Sequence, residues 1–315
     1  MTLLKPLIEQ RADPHIFKHA DGFYYFAASV PEYDRIELRR APTLEGLANA
    51  AAVVVWRKPE RGALSELIWA PEIHHHRGAW YVYFAAAPSR EIKDDLFQHR
   101  MYAISTNAEN PLEGAWRPPR QIETGMDSFS LDATTFAHRG VLYYVWAQKE
   151  SGIRGNSNLY IAPMATPDRI AAAPVRLSAP ELDWETRGFW VNEGPAVLIR
   201  NGRVFVSYSA SATDENYCLG LLHADEDADL LNPDSWQKSP EPVFTTCYEH
   251  GVFGPGHNSF TVSEDGREVI LVYHARTYRE IVGDPLWNPD RHTFVKPVKW
   301  DGRGMPVFGE PCGAS

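Results

Sequence analysis

Cysteine, positive charge and long apolar stretches are all scarce in this 315-residue chain. The three cysteines, Cys218, Cys247 and Cys312, form no CxxC pair and no paired framework, which argues against a disulfide scaffold and against a zinc site. Lysine and arginine number 31 against 41 aspartate and glutamate residues. The resulting net charge of −10 argues against a nucleic-acid partner, which would need a basic face.

The chain also lacks segments that would place it in or across a membrane. No apolar run approaches the roughly 20 residues that span a bilayer, so we expect no membrane partner. Met1 to Gln10 contains no basic segment followed by an apolar core. Because such a segment directs secretion, its absence predicts a cytoplasmic protein.

Aromatic residues, in contrast, are abundant. They make up 12% of the chain, with 10 Trp, 14 Tyr and 14 Phe. Aromatic side chains favour β-strands, and their rings also offer stacking surfaces for sugars. Packing between strands is expected to account for most of them.

One hairpin pattern recurs five times. Its copies begin at Ala12, Trp69, Leu131, Asn192 and Gly256. Each copy contains a short strand, a turn closed by glycine, and a strand of alternating aromatic and small residues, which is typical of a β-hairpin. Strong amphipathic helices are absent, and proline-rich stretches such as residues 111–119 indicate loops.

The turn glycines align the repeats. These glycines are Gly22, Gly78, Gly140, Gly202 and Gly266. Eight or nine residues before them lie Asp13, Ala70, Asp132, Glu193 and His257, at successive separations of 57, 62, 61 and 64 residues. A period near 60 residues with two hairpins suits a four-stranded propeller blade. The sequence therefore predicts an all-β, five-bladed β-propeller that forms a single catalytic domain over residues 1–315; a large sandwich, the alternative, would not require equal spacing.

Equivalent positions of a propeller repeat converge on the central channel, and here they carry two aspartates, a glutamate and a histidine. Burying like charges together costs several kcal/mol unless function or a cation compensates. A cluster of carboxyl groups suits glycosidic bond hydrolysis, because one carboxylic acid protonates the leaving oxygen while a carboxylate activates water or attacks the sugar. The alternative is that each acidic residue merely caps a turn at the end of a strand.

Short motifs at these positions resemble those of glycoside hydrolase family 43 across almost the whole chain. The matching segments are Ala12-Asp13-Pro14, Trp69-Ala70-Pro71-Glu72, Leu131-Asp132, Glu193-Gly194-Pro195, Gly256 to Ser259 and His274 to Arg276. The resemblance implies a five-bladed propeller and an inverting mechanism. It implies that Asp13 is the general base and Glu193 the general acid, with Asp132 raising the pKa of Glu193 and holding it in position.

The resemblance also implies roles around the three carboxyl groups. His257 would face a bound cation, often calcium, that is otherwise surrounded by water; the alternative is that it only forms hydrogen bonds inside the channel. Arg276 would bind a substrate hydroxyl or pair with a carboxylate, or else form a structural salt bridge. Trp69 and Trp190 are candidates for lining the pocket, with simple packing as the alternative, and the small Ala70 would let a sugar ring approach. No organic cofactor is expected.

A further glutamate and a run of three histidines are interpreted as structural rather than functional. Glu72 lies two residues past the repeat position and is predicted to be structural. The run His74-His75-His76 looks like a metal site, but strand alternation sends His75 to the opposite face, and the run is expected at the surface near the turn.

The first repeat, with VPEYDRIELRRAPT from Val30, is similar to exo-acting α-L-arabinofuranosidases of the family. The expected function is therefore release of terminal arabinofuranose from 1,5-linked arabino-oligosaccharides. The alternatives on the same scaffold are β-xylosidase and endo-arabinanase, and the alternative of a different class is a non-catalytic sugar-binding propeller. The expected partner is an oligosaccharide, and the oligomeric state is not predicted.

Overall fold

Strands account for nearly all regular structure in the computed structural model, which describes residues 5–311. Within that range, helical structure is confined to four 3-10 turns: Glu45–Ala48, Asp183–Glu185, Pro233–Ser235 and Pro285–Trp287. None of the described helices is long and apolar enough to cross a membrane.

The strands form five successive antiparallel sheets and a small hairpin. Blade 1 contains β1 (Ala12–Lys18), β2 (Tyr24–Ser29), β3 (Arg35–Ala41) and β4 (Val53–Arg57). Blade 2 contains β5 (Glu66–His76), β6 (Ala79–Ala87), β7 (Arg100–Thr106) and β8 (Arg120–Gln121). Blade 3 contains β9 (Ser130–His138), β10 (Val141–Gln148), β11 (Asn158–Thr166), β12 (Arg169–Ile170) and β13 (Val175–Ser178). Blade 4 contains β14 (Asn192–Arg200), β15 (Arg203–Ala210), β16 (Cys218–Asp225) and β17 (Gln237–Lys238). Blade 5 contains β18 (Phe253–Val262), β19 (Val269–Arg276) and β20 (His292–Pro297), and β21 (Lys299–Trp300) pairs with β22 (Pro306–Val307).

The first strands of the five blades form a closed ring. β1 contacts β5, β5 contacts β9, β9 contacts β14, β14 contacts β18, and β18 contacts β1. This arrangement confirms the five-bladed β-propeller, and it excludes a sandwich because the first strands of five sheets close into one ring rather than belonging to two stacked sheets. The predicted domain boundaries, residues 1 and 315, lie outside the described residues, as does Cys312.

The segment before β1 completes blade 5. Ile8 forms a bridge with Thr293 of β20, with the Leu7 amide donating to the Thr293 carbonyl at 2.8 Å and the Thr293 amide donating to the Ile8 carbonyl at 2.8 Å. The Thr293 hydroxyl also donates to the Arg11 carbonyl at 2.8 Å. The beginning of the described chain is thus joined to the last blade, which closes the ring.

Aromatic and aliphatic side chains fill the spaces between blades. Trp80 and Phe84 of blade 2 pack with Ile36 of blade 1, while Tyr144 and Trp146 of blade 3 belong to a cluster that reaches blades 2 and 4. Most of these rings are fully buried. Packing between strands therefore explains most of the aromatic content.

Each first strand has an irregularity where it enters the ring. The strand register shifts near Asp13, Ala70, Asp132, Gly194 and His257. All five residues have a positive φ, between 39° and 54°. The repeat position in the fourth blade is therefore Gly194, one residue after the Glu193 that the sequence spacing selected. A bulge of this kind redirects the neighbouring side chains, here toward one end of the central channel.

Ile8→Ala tests the closure of the ring. Ile8 is buried among residues of blades 1 and 5, so its truncation should lower the free energy of unfolding by about 2–5 kcal/mol. Urea denaturation followed by tryptophan fluorescence measures this loss. Ile92→Ala is the matched control, because Ile92 is 59% exposed and its loss should change stability by less than about 0.5 kcal/mol. Equal effects of the two changes would contradict the closure.

Candidate active site

The three predicted carboxyl groups lie in one cavity at the end of the channel where the first strands begin. This carboxylate pocket has a volume of about 340 Å³ and is lined by Asp13, Asp132 and Glu193. Its other lining residues include Trp69, Phe97, Phe189, Tyr217, His257, Leu286 and Arg291. Apolar rings and loops thus surround a floor of charged groups, which is the usual composition of a small-molecule site.

Asp13 is surrounded by groups that favour its ionised form. The Ser29 hydroxyl donates to Asp13 Oδ2 at 2.5 Å, and Arg291 Nη1 and His257 Nδ1 lie 3.5 and 3.3 Å from Asp13 Oδ1. Burial by itself would raise the pKa of Asp13, but the charges of His257 and Arg291 outweigh burial and hold the pKa well below its ordinary value. Asp13 is therefore a carboxylate at neutral pH. Its backbone amide donates to Nδ1 of the buried His274 at 3.0 Å, which fixes the residue's orientation.

Glu193 and Asp132 have the opposite environment. Burial, together with the negative charge of Asp13, raises the pKa of Glu193 to about 7, although a hydrogen bond from the Tyr217 hydroxyl to Glu193 Oε1 at 2.8 Å opposes the rise. Burial and the charges of Glu193 and Asp13 raise the pKa of Asp132 well above its ordinary value. The pair therefore retains a proton near neutral pH, beside an ionised Asp13.

Asp132 also holds the strand that carries Glu193. The amide of Gly194 donates to Asp132 Oδ2 at 3.0 Å. Gly194 has a φ of 54°, and a Cβ there would lie 3.1 Å from the His257 ring. Glycine therefore relieves both the backbone strain and the crowding that a side chain would cause at this position.

Of the predicted substrate-binding residues, Trp69 lines the pocket, whereas Ala70 and Trp190 do not. Trp69 lines the pocket and stacks on His99 with ring centroids 3.9 Å apart. Ala70 is buried beside the pocket, where its amide donates to the Ser29 hydroxyl, and it does not line the cavity. Trp190 also lies outside the lining; the Arg154 guanidinium covers its ring at 3.9 Å, and the neighbouring Phe189 lines the pocket instead.

Arg276 is directed at loops rather than at the cavity. Its guanidinium donates to the Thr213 and Pro285 carbonyls at 2.6 and 2.8 Å and to Asn288 Oδ1 at 3.1 Å. With its donors used in this way, Arg276 joins two loops that border the pocket. Among the described residues Arg276 forms no ion pair with a carboxylate, and Arg291 lies beside Asp13 instead. The contact of Arg276 with a substrate hydroxyl stays a prediction.

Arg291 and Tyr217 are site residues that sequence reasoning missed. Arg291 is buried, and its Nη2 donates to the Tyr33 hydroxyl at 2.8 Å. Neither residue belongs to a repeat position, so spacing could not reveal them. A Cβ at Gly256 would lie 2.3 Å from the Tyr217 ring, so the ring explains the glycine, but the sequence alone does not name this partner.

Deeper in the channel, the expected surface location of the histidine run is wrong for its first member. His74 is buried and its Nε2 lies 2.9 Å from Glu72 Oε2. His75 does point to the opposite face, where it packs against His19 and Trp80. The error arose because β5 is 11 residues long, so its middle remains inside the channel while only its end approaches the turn.

A propeller with three buried carboxyl groups at the mouth of its channel defines a candidate carbohydrate-cleaving protein. The model of "Glycosyl hydrolases family 43" matches residues 3–306. The chain belongs to this family.

Similar proteins of known name agree with the family. An extracellular exo-α-(1→5)-L-arabinofuranosidase of Streptomyces avermitilis is 55% identical over 99% of this chain and 64% of its own length. A protein of the same name from Streptomyces chartreusis is 52% identical over 89% of this chain and 84% of its own length. The crystal structure of an α-L-arabinofuranosidase from Lactobacillus brevis superimposes with a TM-score of 0.96, at 57% identity, covering 98% of this chain and 97% of that one. The chain spans about two thirds of the Streptomyces avermitilis protein.

The cytoplasmic location predicted from the sequence is contradicted by these relatives. Both Streptomyces proteins are named extracellular enzymes. The prediction rested on the absence of a leader, and a leader is removed from the mature protein, so its absence carries no information about the compartment.

Tyr217→Phe tests the electrostatics of Glu193. Because the tyrosine hydroxyl stabilises the ionised carboxylate, its removal should raise the pKa of Glu193 by about one unit. NMR titration of ¹³C-labelled glutamate carboxyl groups measures the shift, with Glu193→Gln used to assign the signal. Tyr160→Phe is the control, since it removes a similar hydroxyl contact to Glu150 and should leave Glu193 unchanged. A lowered or unaltered Glu193 pKa in Tyr217→Phe would contradict the assignment.

Proposed function

We propose that the protein is an inverting, exo-acting α-L-arabinofuranosidase that releases terminal arabinofuranose from 1,5-linked arabino-oligosaccharides. The observation that carries the proposal is the pKa separation in the carboxylate pocket, where Asp13 is ionised and Glu193 is raised to about 7. An ionised carboxylate and a carboxylic acid held in one cavity are what hydrolysis of a glycosidic bond needs. Inversion is supported by membership of glycoside hydrolase family 43. The sugar and the exo mode are supported by the printed names of the relatives.

The residues divide the chemistry between them. Asp13 accepts a proton from a water molecule as the water oxygen bonds to the anomeric carbon. The bond from that carbon to the leaving oxygen breaks, and Glu193 donates its proton to this oxygen. Product release is then followed by proton exchange with solvent, which returns the proton to Glu193 and removes it from Asp13.

Asp132 holds the strand that carries Glu193. Its carboxylate accepts the hydrogen bond of the Gly194 amide, which fixes the strand directly after Glu193. Burial and the charge of Glu193 raise the pKa of Asp132 itself. We therefore assign Asp132 a positioning role, and the tuning of the Glu193 pKa that the family resemblance implies stays a prediction.

The pocket is suited to a small ligand. Its volume of about 340 Å³ lies near the lower end of the range for small-molecule sites, about 300–1,000 Å³. Trp69 and Phe189 provide apolar surface along its walls. These features support removal of one terminal sugar at a time.

The calcium ion expected near His257 stays a proposal, and the donor set fits it poorly. His257 Nδ1 lies 3.3 Å from Asp13 Oδ1 and 3.6 Å from Asp132 Oδ2, so this nitrogen faces the carboxyl groups that hydrolysis uses. Calcium prefers about six to eight oxygen ligands. Water would have to supply nearly all of them, and no step of the mechanism uses the ion.

Leaving-group dependence tests the roles of Glu193 and Asp13. Glu193→Ala should lower kcat on arabinobiose by about 10²- to 10⁴-fold, the usual contribution of a general acid. The loss on 4-nitrophenyl α-L-arabinofuranoside should be much smaller, because nitrophenolate leaves without a proton. Asp13→Asn should lower kcat on both substrates, since both need activated water.

Asp168→Asn is the control for these variants, because Asp168 pairs with Arg120 far from the pocket. Retained affinity for arabino-oligosaccharide, measured by calorimetry, shows that Glu193→Ala is folded. Unchanged turnover of arabinobiose in Glu193→Ala would overturn the acid assignment and favour a non-catalytic sugar-binding propeller.

Paired substrates separate the proposed specificity from its alternatives. The wild-type protein should release 4-nitrophenol from the α-L-arabinofuranoside at least about 100-fold faster than from the β-D-xyloside, because a site built to hydrogen-bond one sugar leaves polar groups unpaired with another. Chromatography of products from 1,5-linked arabinan should show arabinose from the start. Faster xyloside cleavage would indicate a β-xylosidase, and early release of long oligosaccharides an endo-arabinanase.

A further inference from the structure

Arg276, the last residue of β19, has a guanidinium that is buried beside the carboxylate pocket. Only 2% of the residue is exposed. Burial lowers its pKa to about 10, so the side chain is still a cation at neutral pH. In the part of the chain that the structure describes, this cation pairs with no carboxylate. A buried charge without an ion pair costs free energy, so its hydrogen bonds must account for its presence.

These hydrogen bonds join two loops. Nη1 of Arg276 donates to the Thr213 carbonyl at 2.6 Å, Nη2 to the Pro285 carbonyl at 2.8 Å, and Nε to Asn288 Oδ1 at 3.1 Å. Thr213 and Pro285 both line the carboxylate pocket. The planar guanidinium can serve all three acceptors because its donors point in fixed, diverging directions. One side chain therefore holds two parts of the pocket wall.

The first of these loops, residues 211–217, presents a tyrosine to the general acid; we call it the acid loop. The Tyr217 hydroxyl donates to Glu193 Oε1 at 2.8 Å. Thr213, whose carbonyl accepts from the guanidinium, lies four residues earlier. Between them, the Tyr217 amide closes a turn on the Asp214 carbonyl at 3.2 Å. The place of the tyrosine ring thus depends on where the guanidinium holds this turn.

His274, two residues before Arg276 on β19, contacts the same part of the site. Its ring lies parallel to that of Tyr217, with 3° between the planes and the centroids 5.6 Å apart. Its Nδ1 accepts a hydrogen bond from the Asp13 amide at 3.0 Å. Residues two apart on a strand point to the same face. This face of β19 therefore contacts the proposed base and the loop that serves the proposed acid.

The second loop, residues 284–291, has a further tie to blade 1. The Tyr33 hydroxyl donates to the Leu286 carbonyl at 2.7 Å and accepts from Arg291 Nη2 at 2.8 Å. Without the guanidinium of Arg276, this loop would keep that tie. We therefore expect loss of the guanidinium to act mainly on the acid loop.

We propose that Arg276 is a positioning residue, which holds the acid loop so that the Tyr217 hydroxyl stays on Glu193. The name of general acid for Glu193 rests on the proposed function, whereas the contacts of Arg276 and Tyr217 do not. Arg276 acts through Tyr217 in this proposal and does not touch the sugar.

Arg276→Lys tests the proposal, because lysine keeps the charge but cannot donate to three acceptors in one plane. The pKa of Glu193 should rise by up to about one unit, since the Tyr217 hydroxyl no longer stabilises the carboxylate. In Tyr217→Phe, the added Arg276→Lys should cause no further rise, because the contact is already gone. NMR titration of ¹³C-labelled glutamate carboxyl groups in the full-length protein, without substrate, measures all three variants.

Arg39→Lys is the matched control. Arg39 Nη1 also donates to two loop carbonyls, those of Leu47 and Ala48, each at 3.2 Å, but in blade 1. Its replacement removes a comparable tie between a strand and a loop. The pKa of Glu193 should therefore stay unchanged in Arg39→Lys.

Gly254→Ala displaces the acid loop by a second route, which decides the matter if Arg276→Lys does not fold. A Cβ at Gly254 would collide with the Asp214 carbonyl oxygen, so the variant should also raise the pKa of Glu193. Gly251→Ala is its control, because Gly251 has a similar φ, 64° against 58°, and a Cβ there would meet open space. It should leave Glu193 unchanged.

Four results would overturn the proposal. The first is an unchanged Glu193 pKa in folded Arg276→Lys, and the second is a further rise when this change is added to Tyr217→Phe. The third is an equal rise in Arg39→Lys. The fourth, if Arg276→Lys does not fold, is an unchanged pKa in Gly254→Ala.

The kinetics of Arg276→Lys distinguish a direct contact with the sugar. A higher KM for arabinobiose with an unchanged Glu193 pKa would assign Arg276 to a substrate hydroxyl and overturn the positioning role. The titrations need no turnover. A protein without hydrolase activity would still give the expected pKa shifts, and an active hydrolase could lack them, so the failure of either proposal is recognised separately.

Discussion

A left-handed backbone residue in the first strand of every blade is the constraint on which the rest of this structure depends. The bulge there leaves a backbone amide without its regular partner in the sheet. In four of the five blades, a side chain of the preceding blade accepts that amide's hydrogen bond. The four pairs are Ala70 with Ser29, Gly194 with Asp132, His257 with Ser209, and Asp13 with His274. The ring of blades and the orientation of the carboxyl groups therefore depend on the same contacts.

The second consequence is electrostatic. Converging strands bring three carboxyl groups into a space from which water is largely excluded, so the free energy of charging them rises. Arg291 and the imidazole of His257 stabilise one negative charge, on Asp13, and leave the pair of Glu193 and Asp132 to keep a proton. Asp13 is the base, and the pair of Glu193 and Asp132 keeps the proton, because the Arg291 guanidinium lies beside Asp13. Burying such a pair lowers the free energy of unfolding, a cost that is common at catalytic sites.

The sequence was sufficient for the architecture and for the three carboxyl groups because both repeat with the blade. Hairpin turns depend on residues that are close in sequence, and the separations between them recur from blade to blade. Both are therefore visible as a repeating pattern along the chain. Ala70, Trp190 and Arg276 were placed less well, since a motif shows only that a residue is near the pocket and not which way its side chain points. The burial of His74 was missed because strand length determines how far a side chain lies from the turn, and the sequence did not define where β5 ends.

The sequence by itself determined the number of blades, the turns between their strands and the residue types at the channel. Only the tertiary structure decided which groups meet there. Arg291 reaches Asp13 across 278 positions of the chain, and Tyr217 reaches Glu193 from a loop outside the repeat. Such contacts depend on how the blades close into a ring, which no local pattern encodes.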